Sequence, residues 1–298
     1  MPAFRTERVC VRVPATSANL GPGFDSAGLA LTLYDDVAVR VTGHGLVIHV
    51  TGEGADDLPR DESHLLVRAL RASFERLGGQ PGGLELACTN RIPHARGLGS
   101  SSAAIVAAIV AARALVTDGS LDDDEVLSLA NDLEGHPDNV AACLRGGATF
   151  AWGLPVQVLR IEPHADLAPV AFVPTTRSST AQVRALLPST VPYADAAANA
   201  GRAALLPTAL STSPGLLLAA TEDRLHQQYR APAMPQSAEL VAALRDDGVP
   251  AVISGAGPTV LALVGSDQAA AVAARAPAGW TVHRLRVDPI GAALVDNG

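Results

Sequence analysis

The sequence predicts an α+β protein of two domains, and three observations lead to this prediction. Hydrophobic residues make up 48% of the 298 residues, which is enough to bury a substantial core. Short strand patterns alternate with longer helical patterns in the first half of the chain. The second half has the order strand, helix, strand, strand, helix, strand, which is typical of a ferredoxin-like βαββαβ layer. We therefore expect one domain over residues 1–163 and a second over residues 164–298.

Hydrophobic periodicity predicts the elements of the first half. Residues 9–13 alternate valine with Cys and Arg, which indicates a half-buried strand that ends at Pro14. Residues 62–77 place leucine and phenylalanine at helical spacing, and a helix over 100–115 is apolar on all sides and therefore buried. The acidic stretch 122–125 suits the N-terminus of a third helix. The further strands that we predict lie at residues 36–42, 46–50, 84–91 and 148–152.

The second half begins after residues 161–167, where a proline and polar residues break the pattern. A strand is predicted over 170–173, and helical segments with proline breaks run from about 179 to 229. The remaining predicted elements are a helix over 237–246, strands over 251–253 and 260–264, a helix over 268–275 and a strand over 281–287.

The charged residues exclude several functions. All 22 basic residues are arginine, and 30 acidic residues give a net charge of −8. A chain without lysine has no Walker A loop, no β3 lysine of a protein kinase and no Schiff-base lysine. The acidic balance and the aromatic content of 3% argue against a nucleic-acid partner.

The cysteines and the apolar segments indicate the compartment. Cys10, Cys88 and Cys143 are widely spaced and odd in number, which argues against a disulfide framework or a zinc site and fits a reducing cytosol. The first ten residues contain no secretory signal. The longest apolar run, 103–112, is too short to span a membrane. We expect a cytoplasmic protein without a membrane partner.

A glycine and serine loop between a predicted strand and a predicted helix is the strongest functional signal. Glycines allow an anion close to the backbone, and the free N–H groups of a helix N-terminus attract phosphate. An ordinary capped helix after a glycine turn is the alternative, but two glycines, three serines and a leading proline favour phosphate binding. The residues of this phosphate loop are Pro93, His94, Ala95, Arg96, Gly97, Leu98, Gly99, Ser100, Ser101, Ser102 and Ala103.

Three further loops are ambiguous when each is taken alone. Residues 14–25 are polar and rich in glycine, and an ordinary turn explains them at least as well as a site. Residues 134–139, Glu-Gly-His-Pro-Asp-Asn, form either a helix cap or a loop for metal and substrate. Residues 254–259, Ser-Gly-Ala-Gly-Pro-Thr, form a tight turn between two buried strands, and this stretch alone indicates no function.

Together and in this order, the four loops resemble those of the GHMP kinase superfamily. Residues 93–101 are similar to its Pro-x-x-x-Gly-Leu-Gly-Ser-Ser motif, and residues 254–259 are similar to its third motif. Residues 17–25 and 134–139 resemble the branch whose substrate is L-homoserine. The similarity extends from Val13 to about Leu263. It implies a GHMP kinase-like fold, with an N-terminal domain like ribosomal protein S5 and a ferredoxin-like C-terminal domain.

The resemblance also implies cofactors and residue roles. The phosphate loop would wrap ATP, while Ser101 and Glu134 would hold Mg²⁺. Asp25, Asp138 and Arg184 would act in catalysis, with one of the two aspartates orienting the substrate hydroxyl. The residues that would bind the substrate are Asn19, Asp25, Asp138, Asn139, Thr180, Arg184 and Arg230. A solvated or ion-paired guanidinium is the alternative for both arginines.

The activity that the resemblance implies is the phosphorylation of the side-chain hydroxyl of L-homoserine by ATP, a step of threonine biosynthesis, in a homodimer. Two other functions remain open. One is another small-molecule kinase of the superfamily, acting on mevalonate or shikimate. The other is a non-catalytic sensor of a nucleotide or an amino acid. A dinucleotide-dependent oxidoreductase is a weaker alternative, because the loop Gly97-Leu-Gly99 lacks a third glycine.

Overall fold

Two β-sheets organise the chain in the computed structural model, which describes residues 2–296. The larger sheet has seven strands, and the smaller has four. The strands are β1 (Val9–Ala18), β2 (Ala27–Thr42), β3 (Gly45–Gly52), β4 (Gly83–Asn90), β5 (Ala148–Trp152), β6 (Gln157–Ile161), β7 (Val170–Val173), β8 (Ala251–Ile253), β9 (Val260–Ala262), β10 (Thr281–Arg284) and β11 (Ala293–Val295).

Ten α-helices are present within residues 2–296. They are α1 (Leu65–Arg76), α2 (Ser100–Leu115), α3 (Asp123–Glu134), α4 (Pro137–Arg145), α5 (Thr180–Arg184), α6 (Tyr193–Ser211), α7 (Leu217–Ala220), α8 (Gln227–Arg230), α9 (Pro235–Asp246) and α10 (Ala269–Ala273). In this part of the chain, no helix combines the length and the apolar character that a membrane span requires.

The larger sheet carries a helical layer built around α2. Its strand order is β11-β1-β2-β4-β3, while β5 joins the first part of β2 and pairs with β6. The apolar helix α2 packs against β1, α1 and α4, and α4 also packs against β2. Eleven residues of α2 are buried, which confirms the prediction of a helix that is apolar on all sides. The burial of α2 fixes the position of its N-terminus, where the phosphate loop ends.

The smaller sheet confirms the predicted ferredoxin-like layer. Its strands have the order β10-β7-β9-β8, and every neighbouring pair is antiparallel. Helices α5 to α9 form the first crossover, from β7 to β8, and α10 forms the second, from β9 to β10. All four strands lie after residue 163. The division of the chain at residues 163 and 164 remains our proposal, and the last strand, β11, returns to pair with β1 of the larger sheet.

The prediction that the first strand ends at Pro14 is wrong. Strand β1 continues to Ala18, with a shift of register between Pro14 and Ala15. Proline donates no hydrogen bond to a ladder, and a bulge absorbs this defect without ending the strand. Strand β2 also begins earlier than predicted, at Ala27, because its first residues pair with the end of β1. The polar loop after β1 is therefore shorter than expected and is held between two paired strands.

Close packing of α4 on β2 gives the first prediction. A Cβ atom at Gly28 would lie 2.2 Å from the carbonyl oxygen of Asp138 and 2.9 Å from the Cβ of Ala142. Gly28→Ala should therefore lower the free energy of unfolding by about 1–3 kcal/mol, as measured by urea denaturation. Gly43→Ala is the matched control, because no atom lies within 4 Å of its added Cβ. Equal stability of the two variants would contradict this packing.

Candidate active site

A cleft of about 430 Å³ lies where the loops of the two sheets meet. It brings together nearly all of the residues that the sequence singled out. Those that line it are Asn19, Asp25, Pro93, His94, Ala95, Arg96, Gly97, Leu98, Gly99, Ser100, Ser101, Ala103, Glu134, Asp138, Asn139, Thr180, Arg184 and Arg230. Ser102 is the exception among the predicted residues, since it is fully buried beneath the cleft wall.

The part of the phosphate loop that precedes α2 ends at Gly99, which adopts the left-handed conformation with φ at 70°. A Cβ atom there would lie 1.9 Å from the hydroxyl oxygen of Thr16, so only glycine fits between β1 and the helix. No side chain within residues 2–296 caps α2, and the first turn of the helix has no acidic residue. The first N–H groups of the helix therefore have no anionic cap from this part of the chain, which is the arrangement that binds phosphate.

The loop over residues 254–259 supports the phosphate loop from the smaller sheet. The Ser254 hydroxyl donates a hydrogen bond of 2.5 Å to the carbonyl oxygen of Gly97 and lies 2.8 Å from the Ser17 hydroxyl. The Thr259 amide donates to the carbonyl oxygen of Arg96 at 3.2 Å. The sequence of this loop alone indicated no function. In the structure it fixes the backbone of the phosphate loop.

Glu134 lies beside the N-terminus of α2 at the end of α3. Its Oε1 accepts hydrogen bonds from the hydroxyls of Ser101 at 2.7 Å and Ser102 at 2.8 Å. No cluster of three or more His, Cys, Asp or Glu side chains suited to a metal ion occurs in residues 2–296. One carboxylate with neighbouring hydroxyls is nevertheless what Mg²⁺ uses when phosphate oxygens and water complete its coordination. The donor set therefore fits a nucleotide-bound Mg²⁺.

Asp25 and Arg184 form a bidentate ion pair inside the cleft. The two guanidinium nitrogens donate to the two carboxylate oxygens at 2.8 and 2.6 Å. The guanidinium also lies over the ring of Phe24, 5.3 Å from its centre. Hydrogen bonding to Asp25 raises the pKa of Arg184. This pair connects the loop after β1 with α5. The family resemblance predicted that both segments line one substrate pocket.

Arg230 is the second arginine of the cleft, and only 2% of its surface is exposed. Its Nη1 donates to the carbonyl oxygen of Gly255 at 3.2 Å and lies 3.3 Å from Nδ1 of His226. Its buried Nε has no hydrogen-bond partner in the part of the chain that the structure describes. Burial and the nearby charge of Arg184 lower the pKa of Arg230. The solvated state that a helical arginine usually adopts is therefore not the state of this side chain.

Asp138 lies at the N-terminus of α4 and is almost fully buried. Its Oδ1 accepts a hydrogen bond from the Asn139 amide at 2.7 Å and lies 2.8 Å from Nδ1 of His136. The hydrogen bond with Asp138 raises the pKa of His136. The Asn139 side chain accepts a hydrogen bond from the Thr16 hydroxyl at 2.7 Å. The loop over residues 134–139 is thus both a helix start and a wall of the cleft.

The sequence did not predict most residues at the end of the cleft beyond the phosphate loop. Its polar residues include His64, Asp35 and Asn90, among apolar neighbours such as Leu65. Nδ1 of His64 accepts a hydrogen bond from the amide of Leu66, and its buried Nε2 has no partner among the described residues. Burial lowers the pKa of His64, which favours the neutral ring. These residues belong to strand and helix patterns, so only the tertiary structure shows that they line a cavity.

Comparisons with known proteins agree with this geometry. The family model for the GHMP kinases N terminal domain matches residues 64–147, and the model for the GHMP kinases C terminal matches residues 182–281. A protein named Homoserine kinase from Streptomyces avermitilis is 62% identical over 298 residues, which cover 99% of this chain and 98% of that protein. One of the same name from Streptomyces coelicolor is 61% identical over 99% of this chain and 96% of its own length.

Solved structures show the same similarity in three dimensions. The crystal structure of homoserine kinase from Cytophaga hutchinsonii has a TM-score of 0.86, with 26% identity and 99% of each chain covered. The crystal structure of L. major mevalonate kinase in complex with R-mevalonate has a TM-score of 0.70 at 18% identity, over 98% of this chain and 99% of that one. At this identity the likeness shows the fold alone. The chain belongs to the GHMP kinase family and, within it, to the homoserine kinases.

The buried carboxyl group of Asp35 gives a prediction about stability and pH. Burial raises its pKa from the ordinary value of 3.8 to about 6, although the amides of Arg91 and Ile92 donate to it. The folded state therefore retains this proton at a pH where the unfolded chain has lost it. The free energy of unfolding falls as the pH rises from about 4 to about 6, and the loss persists above that range.

Asp35→Asn should remove this loss, because an amide oxygen still accepts from both N–H groups. The variant should match the wild type near pH 4 and exceed it by up to about 3 kcal/mol at pH 7, as measured by urea unfolding. Asp36→Asn is the control, because this substitution should lower the free energy of unfolding at pH 7 and not raise it. Burial raises the pKa of Asp36, but hydrogen bonds from Arg12 and Arg91 outweigh it and lower the pKa overall. An Asp35→Asn profile parallel to that of the wild type would contradict this account.

Proposed function

We propose that this chain transfers the γ-phosphoryl group of ATP to the side-chain hydroxyl of L-homoserine, forming O-phospho-L-homoserine and ADP. The homoserine kinases to which the chain is similar support this activity. The single observation that carries it is that one cleft joins the uncapped N-terminus of α2 to the ion pair of Asp25 and Arg184. The first binds phosphate, and the second suits a molecule that bears both charges.

The phosphate end is proposed to hold the triphosphate on the backbone amides of residues 93–103. A helix N-terminus is equivalent to roughly half a positive charge, and several amides point to the same place. Ser101 and Glu134 are the proposed protein ligands of Mg²⁺, which when bound neutralises phosphate charge. Ser102 supports this site from below, since its hydroxyl donates to Glu134.

The substrate end is proposed to recognise the amino-acid group of homoserine. Arg184 and Arg230 would bind the α-carboxylate, because a guanidinium matches a carboxylate bidentately. Asp25 and the Asn19 side chain would face the ammonium group. The side-chain oxygen of Asn19 already accepts a hydrogen bond from the backbone N–H of Asp25 at 3.0 Å, so the Asn19 side chain is fixed to the backbone of Asp25. Thr180 and Asn139 would complete the walls of the pocket.

A zwitterion suits this pocket for an electrostatic reason. The carboxylate of the substrate can replace that of Asp25 on Arg184, and the ammonium group can then replace the guanidinium beside Asp25. Asp25 and Arg184 are only partly shielded from solvent, and each charge keeps an opposite partner through this exchange, which avoids leaving a partly desolvated ion unpaired. A substrate without an ammonium group would leave Asp25 unpaired, so the pocket favours an amino acid over mevalonate.

The transfer of the phosphoryl group depends more on the alignment of the two substrates than on a strong base. The transition state of phosphoryl transfer is loose, and catalysis consists mainly of alignment and charge neutralisation. We propose that Asp138 orients the attacking hydroxyl, because Asp25 faces the ammonium group once the substrate has displaced it from Arg184. His136 and the Asn139 amide fix the Asp138 carboxylate. No lysine assists the aspartate, since the chain contains none.

The far end of the cleft is proposed to hold the base of the nucleotide. His64 presents a buried N–H that has no partner within residues 2–296, and Asp35 and Asn90 present oxygen atoms. We further propose that the chain acts as a homodimer in the cytoplasm and serves threonine biosynthesis, as the family resemblance implies.

A substrate panel tests this function. Purified protein with ATP and Mg²⁺ should release ADP when L-homoserine is added, and mass spectrometry should detect phosphohomoserine. Mevalonate, shikimate and galactose should give far lower turnover. Faster turnover of mevalonate or shikimate would identify a different small-molecule kinase. ATP binding in a thermal-shift assay without turnover of any compound would indicate a sensor.

The ion pair gives a prediction about substrate affinity. Arg184→Ala removes a bidentate charged partner, so KM for homoserine should rise roughly 10- to 100-fold, while KM for ATP changes little. Steady-state kinetics with each substrate varied in turn measure both values. Arg113→Ala is the control, because it removes a guanidinium that pairs with Asp123 on the surface. An unchanged KM for homoserine would contradict the role of Arg184.

The carboxylate beside α2 gives a prediction about metal dependence. Glu134→Gln keeps the acceptor for both serine hydroxyls but removes the charge, so the Mg²⁺ concentration for half-maximal activity should rise roughly 10-fold or more. KM for homoserine at saturating Mg²⁺ should stay unchanged. Asp132→Asn, an exposed residue of the same helix, should leave the metal dependence as it is. Identical Mg²⁺ titrations for Glu134→Gln and the wild type would exclude Glu134 as a ligand.

A further inference from the structure

A buried histidine outside the predicted site contacts the second arginine of the cleft. His226 precedes α8 and is fully buried. Its Nε2 lies 2.8 Å from the carbonyl oxygen of Gly21, and its Nδ1 lies 3.3 Å from Nη1 of Arg230. His226 thus bridges the loop that follows β1 and the guanidinium of Arg230. The function proposed above uses neither His226 nor this bridge.

The neighbours of His226 determine which ring nitrogen carries the proton. Nε2 faces two acceptors, the carbonyl oxygen of Gly21 and the Asp223 carboxylate at 3.6 Å, so it must carry hydrogen. Nδ1 faces a guanidinium nitrogen, which can only donate. The ring is therefore neutral, with its Nδ1 lone pair directed at Arg230. A second ring proton would place two donors against each other, and burial also lowers the pKa of His226.

This contact leaves one edge of the guanidinium of Arg230 for a ligand. Nη1 is engaged by His226 and by the carbonyl oxygen of Gly255. Nε has no hydrogen-bond partner within residues 2–296, and no bond from Nη2 to this part of the chain is present. A carboxylate binds two neighbouring N–H groups in parallel. The edge that His226 does not engage consists of Nε and Nη2, and a bound carboxylate would supply the acceptor that the buried Nε lacks.

Phe24 contacts the same group of side chains. Its ring centre lies 5.1 Å from that of His226, 5.3 Å from the Arg184 guanidinium and 5.2 Å from the Arg230 guanidinium. Both guanidiniums lie over the ring, and the π-system of an aromatic ring attracts a cation in this position. With His226 and Phe24 both in place, the guanidinium of Arg230 has little freedom to rotate.

We infer that His226 is a positioning residue, which directs the Nε and Nη2 edge of Arg230 toward the carboxylate of the amino-acid substrate. This inference rests on the proposed function, because it assigns a purpose to a residue that touches Arg230 and not the substrate. Asp223 supports the arrangement, since its carboxylate accepts hydrogen bonds from the amides of residues 225–227 and fixes the start of α8.

Two variants separate the two functions of the ring. The side-chain oxygen of His226→Asn can occupy the place of Nδ1 and accept from Arg230, whereas the bond to Gly21 is lost. The amide nitrogen of His226→Gln can reproduce the bond to Gly21, whereas the acceptor for Arg230 is lost. If His226 positions Arg230, His226→Gln should raise KM for homoserine roughly 10-fold, and His226→Asn should stay within about 3-fold of the wild type. KM for ATP should change in neither variant.

Urea unfolding of both variants shows whether the residue only stabilises the fold. Equal KM values for homoserine in the two variants, or changes that follow their stability, would overturn the inference. In an Arg230→Ala background, His226→Gln should cause no further increase of KM; an undiminished increase there would also overturn it. Wild-type protein is assayed first. Failure of the wild type to phosphorylate homoserine would refute the proposed function. Normal wild-type turnover, with KM for homoserine unchanged in both His226 variants, would refute only the inference.

Discussion

The structure of this cleft depends on one close approach, that of the phosphate loop to β1. Gly99 passes so near to Thr16 that a single methyl group would not fit between them, and the Thr16 amide donates to the carbonyl oxygen of Leu98 at 3.0 Å. The contact brings the N-terminus of α2 to the end of β1. Because α2 is buried along its length, the helix cannot withdraw from this position without exposing the core. The packing of the core therefore fixes the position of the helix N-terminus.

The same contact determines where the proposed amino-acid pocket lies. Strand β1 leads directly into the loop that carries Asn19 and Asp25, so the residues that we propose for substrate binding begin at the end of the strand that contacts the phosphate loop. Asn19 also donates to the carbonyl oxygen of Gly255 at 3.0 Å, which ties this loop to the smaller sheet. Both ends of the cleft thus share one backbone frame. Alignment of donor and acceptor, the main requirement of phosphoryl transfer, follows from the fold.

A kinase without lysine must obtain positive charge from other groups. In the function that we propose, backbone amides at α2 bind the phosphates and two guanidiniums bind the substrate. Arg184 is paired with Asp25, and Arg230 lies between a neutral histidine and an aromatic ring. These neighbours reduce the cost of burying two like charges in one pocket. Arginine is suited to this role because it stays charged where burial would neutralise lysine.

The sequence predicted the parts of the site that rest on local signals. Glycines, serines and a buried helix identified the phosphate loop, and the family resemblance supplied Asp25, Asp138, Arg184 and Arg230. The alternation of β1 stopped at Pro14, so the continuation of the strand could not be seen. The sequence also did not predict strands β6 and β11, because an exposed edge strand shows little alternation of apolar and polar residues.

Residues whose roles depend on contacts between distant parts of the chain could not be predicted from the sequence. His226 lies 205 positions from Gly21, and nothing in the pattern of α8 indicates that they meet. Asp35 and His64 occupy ordinary strand and helix-cap positions, and only the tertiary structure shows that they line a cavity. Ser254 lies in a turn whose function is visible only where its hydroxyl reaches the phosphate loop.

The most direct test of this account is a crystal structure with L-homoserine and a non-hydrolysable ATP analogue. The account predicts phosphate oxygens within hydrogen-bond distance of the amides at the start of α2 and the substrate carboxylate on Arg184 and Arg230, with Asp25 released from Arg184 to the ammonium group. Homoserine bound elsewhere, or bound in this cleft with the Asp25 and Arg184 pair unbroken and the carboxylate away from both arginines, would contradict it.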